Sequence, residues 1–327
     1  LATASSPALR AAAPPPPVRF DPNRWKLLTW NIDGLDQRSA VDIVRRTEEV
    51  MKVVLEEQPA VILFQEVIDG MMKMLTQVLS FAYKSTCPDP SNDRAPYYCA
   101  VFVHHDLPVL SKRLWFFRGS QMGRHAIAVR MKVGPCEVEV VGTHLESTKN
   151  CVAERRVQLQ EIFQHLKGSV ATVALVGGDL NIRDQEFAGL SPPPNIEDCW
   201  VYCGSPAQSK FTWDAARNRN IDGLPPSVRL RFDRILAACP CWSKPLSKRT
   251  VPELQAVAAA AGLSKTGRRA ELEARVRAVE EAGQARAPAH YEPVDVGLVG
   301  CDVIPELGRH ASDHFGVMVT WQRRGGV

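Results

Sequence analysis

The sequence predicts a layered α/β domain with two packed sheets, interrupted once by an inserted helix–loop–helix. Three observations lead there: apolar strand-like runs alternate with amphipathic helical stretches, the connections mix crossovers with hairpins, and several apolar runs stop abruptly at polar residues. The first strand is KLLTWNI at 26–32. Residues 39–58 place Val41, Val44, Val50, Val53 and Val54 among charges, the pattern of an amphipathic helix, with Pro59 just beyond it. AVILFQEV (60–67) is a second strand, followed by a helix through 70–80 and a strand at YYCAVFV (97–103). HAIAVRMKV and CEVEVVGTHLE read as a hairpin across Gly134-Pro135, then a helix at 152–166 leads into the strand VATVALVGGDLN. RLRFDRILAA (229–238) reads as one strand, and the pattern ends in SDHFGVMVTW.

The 327 residues suffice for one large α/β domain or two ordinary ones. No apolar run approaches the ~20 residues of a membrane helix, so no membrane association is expected. A net charge of +4 suits a polyanionic partner without demanding one. The nine cysteines lack paired CxxC spacing, which favours reduced thiols over zinc or disulfides. Residues 1–24 are rich in Ala, Pro and Ser and read as a disordered linker. The catalytic unit is expected over 25–242 and 290–327. Arg45, Arg46, Arg155 and Arg156 read as solvated helix faces.

The strand ends carry the chemistry. TWNID offers Asn31 and Asp33, LFQEV offers Glu66, GTHLES offers His144, GGDLN offers Asp179 and Asn181, and SDH offers Asp313 and His314. Ligands in open α/β folds gather at the carboxyl ends of strands. Oxygen donors without cysteine suit a hard cation such as Mg²⁺, with Mn²⁺ as a substitute. Asp33 and Glu66 suffice as its ligands, with Asp313 in support. Within GGDLNIRD, Leu180 and Ile182 alternate with the polar residues and are expected to face the core, while Asp184 reads as a cap or a partner for Arg183.

In this order, TWNIDGLD (29–36), LFQEV (63–67), MGR (122–124), THLEST (143–148), GGDLNIRD (177–184), FTWD (211–214), LRFDRI (230–235) and SDHFG (312–316) resemble the endonuclease/exonuclease/phosphatase superfamily, and within it the 5′-tyrosyl-DNA phosphodiesterase branch. The resemblance implies a two-sheet α/β sandwich acting as a Mg²⁺-dependent phosphodiesterase on DNA whose 5′ end is linked to the tyrosine of a peptide. It also implies roles: Asp179 and Asn181 on the attacking water, His314 on a non-bridging phosphate oxygen, and Asp233 holding His314. Arg124 and Arg183 would clamp phosphate, and His144, Ser147 and Lys149 would lie at the scissile phosphate. Trp213, Tyr97 and Phe232 are candidates for an aromatic wall on which DNA bases stack. A nuclear location is expected from the substrate class, with a cytoplasmic or organellar pool as the alternative; the catalytic domain is expected to be monomeric, and its protein partners are unknown. Phe315 stands where the branch commonly has tryptophan, and Leu180 and Ile182 where it more often has threonine and leucine.

The inserted segment 246–280 is similar to a SAP domain, a helix–loop–helix DNA-binding module. Val251, Leu254, Val257 and Leu263 would form one apolar face, and Leu272 and Val276 the other. Lys248, Arg249, Lys265, Arg268 and Arg269 would face a DNA backbone. The alternatives are an abasic-site endonuclease or 3′ nuclease of the same superfamily, and a catalytically idle DNA-binding scaffold.

Overall fold

A computed structural model describes residues 20–88, 96–190, 192–193, 196–238, 250–284 and 289–325. Most of the expected linker, and Lys248 and Arg249, lie outside the described residues. The strands are β1 (Arg24–Asn31), β2 (Val61–Val67), β3 (Tyr83–Thr86), β4 (Tyr98–His104), β5 (Val109–Phe116), β6 (His125–Val133), β7 (Cys136–His144), β8 (Val173–Asp179) and β9 (Ile196–Asp198). They continue as β10 (Trp213–Asp214), β11 (Arg229–Leu230), β12 (Asp233–Ala238), β13 (His290–Val299), β14 (Val303–Ile304), β15 (Arg309–His310) and β16 (Gly316–Arg324). Two six-stranded sheets result, ordered β13-β16-β1-β2-β4-β3 and β5-β6-β7-β8-β12-β9. The main helices are α1 (Ala40–Glu57), α2 (Asp69–Leu79) and α3 (Val152–Lys167).

Each sheet contains one parallel pair, β1 with β2 and β7 with β8. Parallel neighbours need a crossover, which α1 and α3 supply. Because each pair runs in register, its polar ends emerge together, Asn31 beside Gln65 and His144 beside Asp179. Both faces of these strands are covered, which accounts for apolar runs without alternation. Leu27, Leu63, Val101 and Val319 of the first sheet meet Val129, Val140, Leu175 and Ile235 of the second. The outer faces pack on helices: Trp30, Phe64 and Phe102 with Val54 and Leu75, and Val141 and Val176 with Leu159 and Phe163. The order of layers is therefore helix, sheet, sheet, helix. The glycine pair of GGDLN has a packing reason. A Cβ on Gly177 would come within 2.7 Å of the Leu63 side chain from the facing sheet, and one on Gly178 within 1.9 Å of the Thr143 carbonyl oxygen.

Three expectations need correction. Arg46 and Arg155 are completely buried, whereas Val41 and Val44 are exposed, because the first turns of α1 face buried polar loops rather than the apolar core. Residues 229–238 are two strands: the chain leaves its pairing with β10, turns through Arg231 and Phe232, and only then pairs with β8. In the insertion, Val251 and Leu263 are exposed. The small core of α4 (Val251–Ala260) and α5 (Arg269–Gln284) consists of Leu254, Ala258, Leu272 and Val276, with Val257 packed against it. Lys265, Arg268 and Arg269 are exposed, as DNA contacts would need. Leu180 and Ile182 are fully buried, as the alternation in GGDLNIRD requires. No described helix is long and apolar enough to cross a membrane.

Candidate active site

The two strand pairs meet at the Asn31 side chain. Its Nδ2 donates to Glu66 Oε1 (3.1 Å) in its own sheet and to Asp179 Oδ2 (3.2 Å) in the other, while its Oδ1 accepts from the Asp33 amide (3.0 Å). The chain then bends sharply: Asp33, Glu66 and Asn181 all have left-handed backbones, with φ of 51°, 55° and 51°. Such conformations are costly away from glycine and persist where surrounding contacts enforce them. Glu66 also sits where the β2–β4 register shifts, between Phe64 and Val67, which turns its side chain out of the ladder.

Around Asp179 the partners are bases. His144 Nε2 lies 3.3 Å from Asp179 Oδ2, and His314 Nε2 lies 3.8 Å from the same oxygen. Arg124 Nη1 donates to His144 Nδ1 (2.7 Å), so the neutral imidazole must carry its proton on Nε2, facing Asp179. Burial, together with the Arg124 charge, lowers His144 to about 4. His314 differs. Burial works against its charge, but the carboxylates of Asp233, Asp313 and Asp179 hold it well above the usual histidine range. Its Nδ1 is 2.8 Å from Asp233 Oδ2. Burial likewise opposes charge on Asp179, yet the two imidazoles and the Asn31 amide hold its carboxyl far below the usual value.

Asp33 and Glu66, beside Asp313, show the opposite electrostatics. Asp33 is raised to about 8 by burial and by the charges of Asp313 and Glu66, with Arg46 the opposing influence. Glu66 is raised by burial and by Asp313. Buried like-charged oxygens of this kind fit a hard divalent cation, which would remove the repulsion. Asp179, Asp233 and His314 also bring ligand atoms within 4.8 Å of one another and could hold an ion. With Nδ1 hydrogen-bonded to Asp233 at 2.8 Å, however, the imidazole is committed to that carboxylate, and its Nε2 faces Asp179 across 3.8 Å.

Asn181 donates to the Leu145 carbonyl (3.2 Å), and its amide donates to Asp179 Oδ1 (2.9 Å). Arg124 is almost wholly buried, its Nη2 lies 3.4 Å from Ser147 Oγ, and it stacks on Tyr97. Lys149 is exposed in a short 3-10 turn. Arg183 pairs with Glu186 (2.9 Å) above the Phe232 ring, while Asp184 accepts from Arg231 and Arg234 rather than from Arg183. The three wall candidates separate. Trp213 and Phe232 pack 6.1 Å apart and Phe232 reaches His314, whereas Tyr97 lies against His144 and Arg124. Trp213 Nε1 also donates to Asp313 (3.0 Å).

Sequence reasoning missed several supports. Glu146, inside THLES, accepts from Ser120 Oγ and the amides of Gln121 and Met122, fixing the loop that presents Arg124. Thr212 Oγ1 accepts the amides of Phe232 and Asp233, and its carbonyl accepts from Phe315. Ser312 ties the SDH turn to Asn31 (2.6 Å). Only the motif neighbourhood of Glu146, Thr212 and Ser312 signals them in the sequence.

Comparison with known proteins agrees with this geometry. The Endonuclease/Exonuclease/phosphatase family profile matches residues 28–251, and the SAP domain profile matches 245–279. The chain is 31% identical over 226 residues to a 5′-tyrosyl-DNA phosphodiesterase of Caenorhabditis elegans, covering 68% of this chain and 58% of that protein. It is 31% identical over 216 residues to tyrosyl-DNA phosphodiesterase 2 of Homo sapiens, covering 64% and 57%. The chain thus spans under two thirds of the length of these relatives. Among solved structures, D. rerio TDP2 complexed with single strand DNA product superposes with a TM-score of 0.71 at 22% identity, over 91% of this chain and 99% of that one. Truncated C. elegans TDP2 gives 0.67 at 24% identity, over 91% and 98%. With two sheets in this arrangement, the strand-end constellation in place and the profile spanning more than half its length, the chain belongs to the endonuclease/exonuclease/phosphatase family.

Proposed function

We propose that the chain is a Mg²⁺-dependent phosphodiesterase that hydrolyses the bond between a DNA 5′ phosphate and a peptide tyrosine, leaving a 5′ phosphate. The observation that carries the reading is the placement of the Asp179 carboxylate, 3.3 and 3.8 Å from two imidazoles and joined through the Asn31 amide to Glu66 of the acidic cluster. The tyrosyl substrate comes from the names of the relatives and from the motif order.

Asp33, Glu66 and Asp313 would hold the cation, which when bound neutralises phosphate charge and supports the leaving oxygen. The protein's own groups supply the rest. Asp179, with Asn181 beside it, orients the attacking water and accepts its proton as the new P–O bond forms. His314, kept protonated by Asp233, donates to the non-bridging oxygen where negative charge accumulates. Arg124 holds His144 in the tautomer that faces Asp179. A phenol, with a pKa of ~10, leaves with far less help than an aliphatic alcohol, so this set is sufficient for a tyrosyl ester. Trp213 and Phe232 would stack a displaced base, and Arg183 and Lys149 would meet backbone phosphate. The exposed cations of the insertion, Lys265, Arg268 and Arg269, would add salt-sensitive affinity with little sequence preference. A monomer acting in the nucleus fits this substrate.

The test offers a 5′-phosphotyrosyl oligonucleotide, an abasic duplex and an inositol phosphate, each with Mg²⁺ and with chelator. Tyrosine release that needs Mg²⁺ is expected. Cleavage of the abasic duplex alone would overturn the reading in favour of an endonuclease, and inactivity on all three would favour a DNA-binding scaffold.

A further inference from the structure

Among the described residues, the largest fully buried side chains include three arginines, Arg46, Arg155 and Arg234. A buried guanidinium is costly to desolvate and needs several acceptors. Each of the three finds them in the backbone of a loop that carries site residues. Arg155 donates to the carbonyls of Glu146 and Thr148, on either side of Ser147, and pairs with Glu186 (3.1 Å). Arg234 donates to the Ile182 carbonyl (3.2 Å) and to Asp184 Oδ1 (2.6 Å), beside Arg183.

Arg46 does more, because its acceptors come from two chain segments far apart in sequence. Its Nη1 donates to the carbonyls of Asp33 (3.1 Å) and Ala311 (3.1 Å), and its Nη2 donates to the carbonyls of Asp33 (3.2 Å) and Asp36. Its Nε is anchored on Asp42 (3.0 Å), one helical turn earlier in α1. Nη1 also lies 3.5 Å from Asp33 Oδ2, the nearest opposite charge that an ionised Asp33 meets. Arg309 closes the cluster by pairing with both Asp36 and Asp42. One planar fork thus joins the loop after β1, which bears Asp33, to the turn before β16, which bears Asp313.

We infer that Arg46 is a positioning residue that sets the spacing of Asp33 and Asp313 and thereby the affinity for a divalent cation, while Arg155 serves the phosphate side of the same cleft. The inference rests on the reading of Asp33, Glu66 and Asp313 as the cation ligands. Lysine in place of Arg46 keeps the charge but cannot span acceptors in both loops with one plane.

The test measures Mn²⁺ affinity by electron paramagnetic resonance and affinity for a 5′-phosphorylated single strand by fluorescence anisotropy, on the whole chain. Outer-shell changes typically cost 10–100-fold in metal affinity, so Arg46→Lys should weaken Mn²⁺ binding about tenfold or more and leave the oligonucleotide affinity without cation within about twofold. Arg155→Lys should do the reverse. A merely structural role would move both readouts together in both variants, and that pattern, or unchanged Mn²⁺ affinity in Arg46→Lys, overturns the inference. If Arg46→Lys does not fold, Asp42→Ala, which frees Nε but leaves the two loops bridged, should shift Mn²⁺ affinity in the same direction by a smaller factor, and no shift overturns it. Neither readout needs turnover, so a chain inactive on phosphotyrosyl DNA would defeat the proposed function and leave this comparison decisive.

Discussion

Asp33 and Asp179 are both buried aspartates at the carboxyl end of a central parallel strand, yet the molecule treats them in opposite ways. Asp33 faces Asp313 and Glu66 and is pushed up to about 8; Asp179 faces His144, His314 and Asn31 and is held far below the usual carboxylate range. Burial is similar, so neighbours decide. One end of the cleft therefore stores a demand for positive charge, and the other presents an acceptor whose neighbours favour its ionised form. A hydrolase that must neutralise a phosphate while orienting a water needs both within one cleft.

The contrast can be broken experimentally, beginning with the largest effect. Asp179→Asn keeps the shape but loses the acceptor and should lower kcat for tyrosine release by about 10³-fold; a loss below tenfold would move the water-orienting role elsewhere. Asp233→Asn should cost about 10²-fold, because His314 then loses the partner that orients and charges it. The sign here is specific: with a raised folded-state pKa, the charged imidazole is present at low pH and lost as pH rises through that value. The alkaline limb of the kcat profile should accordingly move to lower pH in Asp233→Asn, and an unmoved limb would exclude His314 as the donor.

Stability without cation should separate the two aspartates most cleanly. Asp33→Asn removes a carboxylate whose ionisation opposes folding, so Tm in chelator at neutral pH should rise, by about 2–4 °C per kcal/mol recovered. Asp179→Asn removes the partner of two imidazoles and should lower Tm under the same conditions. Equal signs in the two variants would mean that packing, rather than charge, dominates both positions. The smallest effect lies away from the cleft. Burial opposes charge on Glu139, but hydrogen bonds from His165 and Ser169 hold its pKa low. A depressed carboxyl contributes stability above its unfolded pKa of ~4.3 that is lost as pH falls through the folded value. The Tm gap between the protein and Glu139→Gln should thus close on acidification, while the Asp33→Asn gain should shrink as Asp33 itself becomes neutral below about 8.

Much of this site is legible in the sequence because strand ends are local. A run such as VALVGGD or VILFQEV declares both a buried strand and the polar groups at its exit. Parallel pairing then brings those exits to one edge. The inward turn of Leu180 and Ile182 is equally local, since alternation fixes which side each residue takes. Arg46 and Arg155 were illegible for the converse reason. Their helical neighbours are polar and their surroundings read as solvated face, but their acceptors are carbonyls outside the helix, Ala311 from the far end of the chain for Arg46 and Thr148 from the loop just before its helix for Arg155. The same applies to Val41 and Val44, exposed because polar loops occupy the place where apolar core was expected.

By itself, then, the sequence determined the layered α/β architecture, the list of strand-end residues and the presence of a helical insertion, since each depends on periodicity or spacing within a short window. Only the tertiary structure decided which aspartate is forced toward neutrality and which is kept ionised, which tautomer His144 adopts, and which arginines leave water to brace the loops. Those outcomes depend on charges and carbonyls from different strands converging within a few ångströms, where burial magnifies each of them.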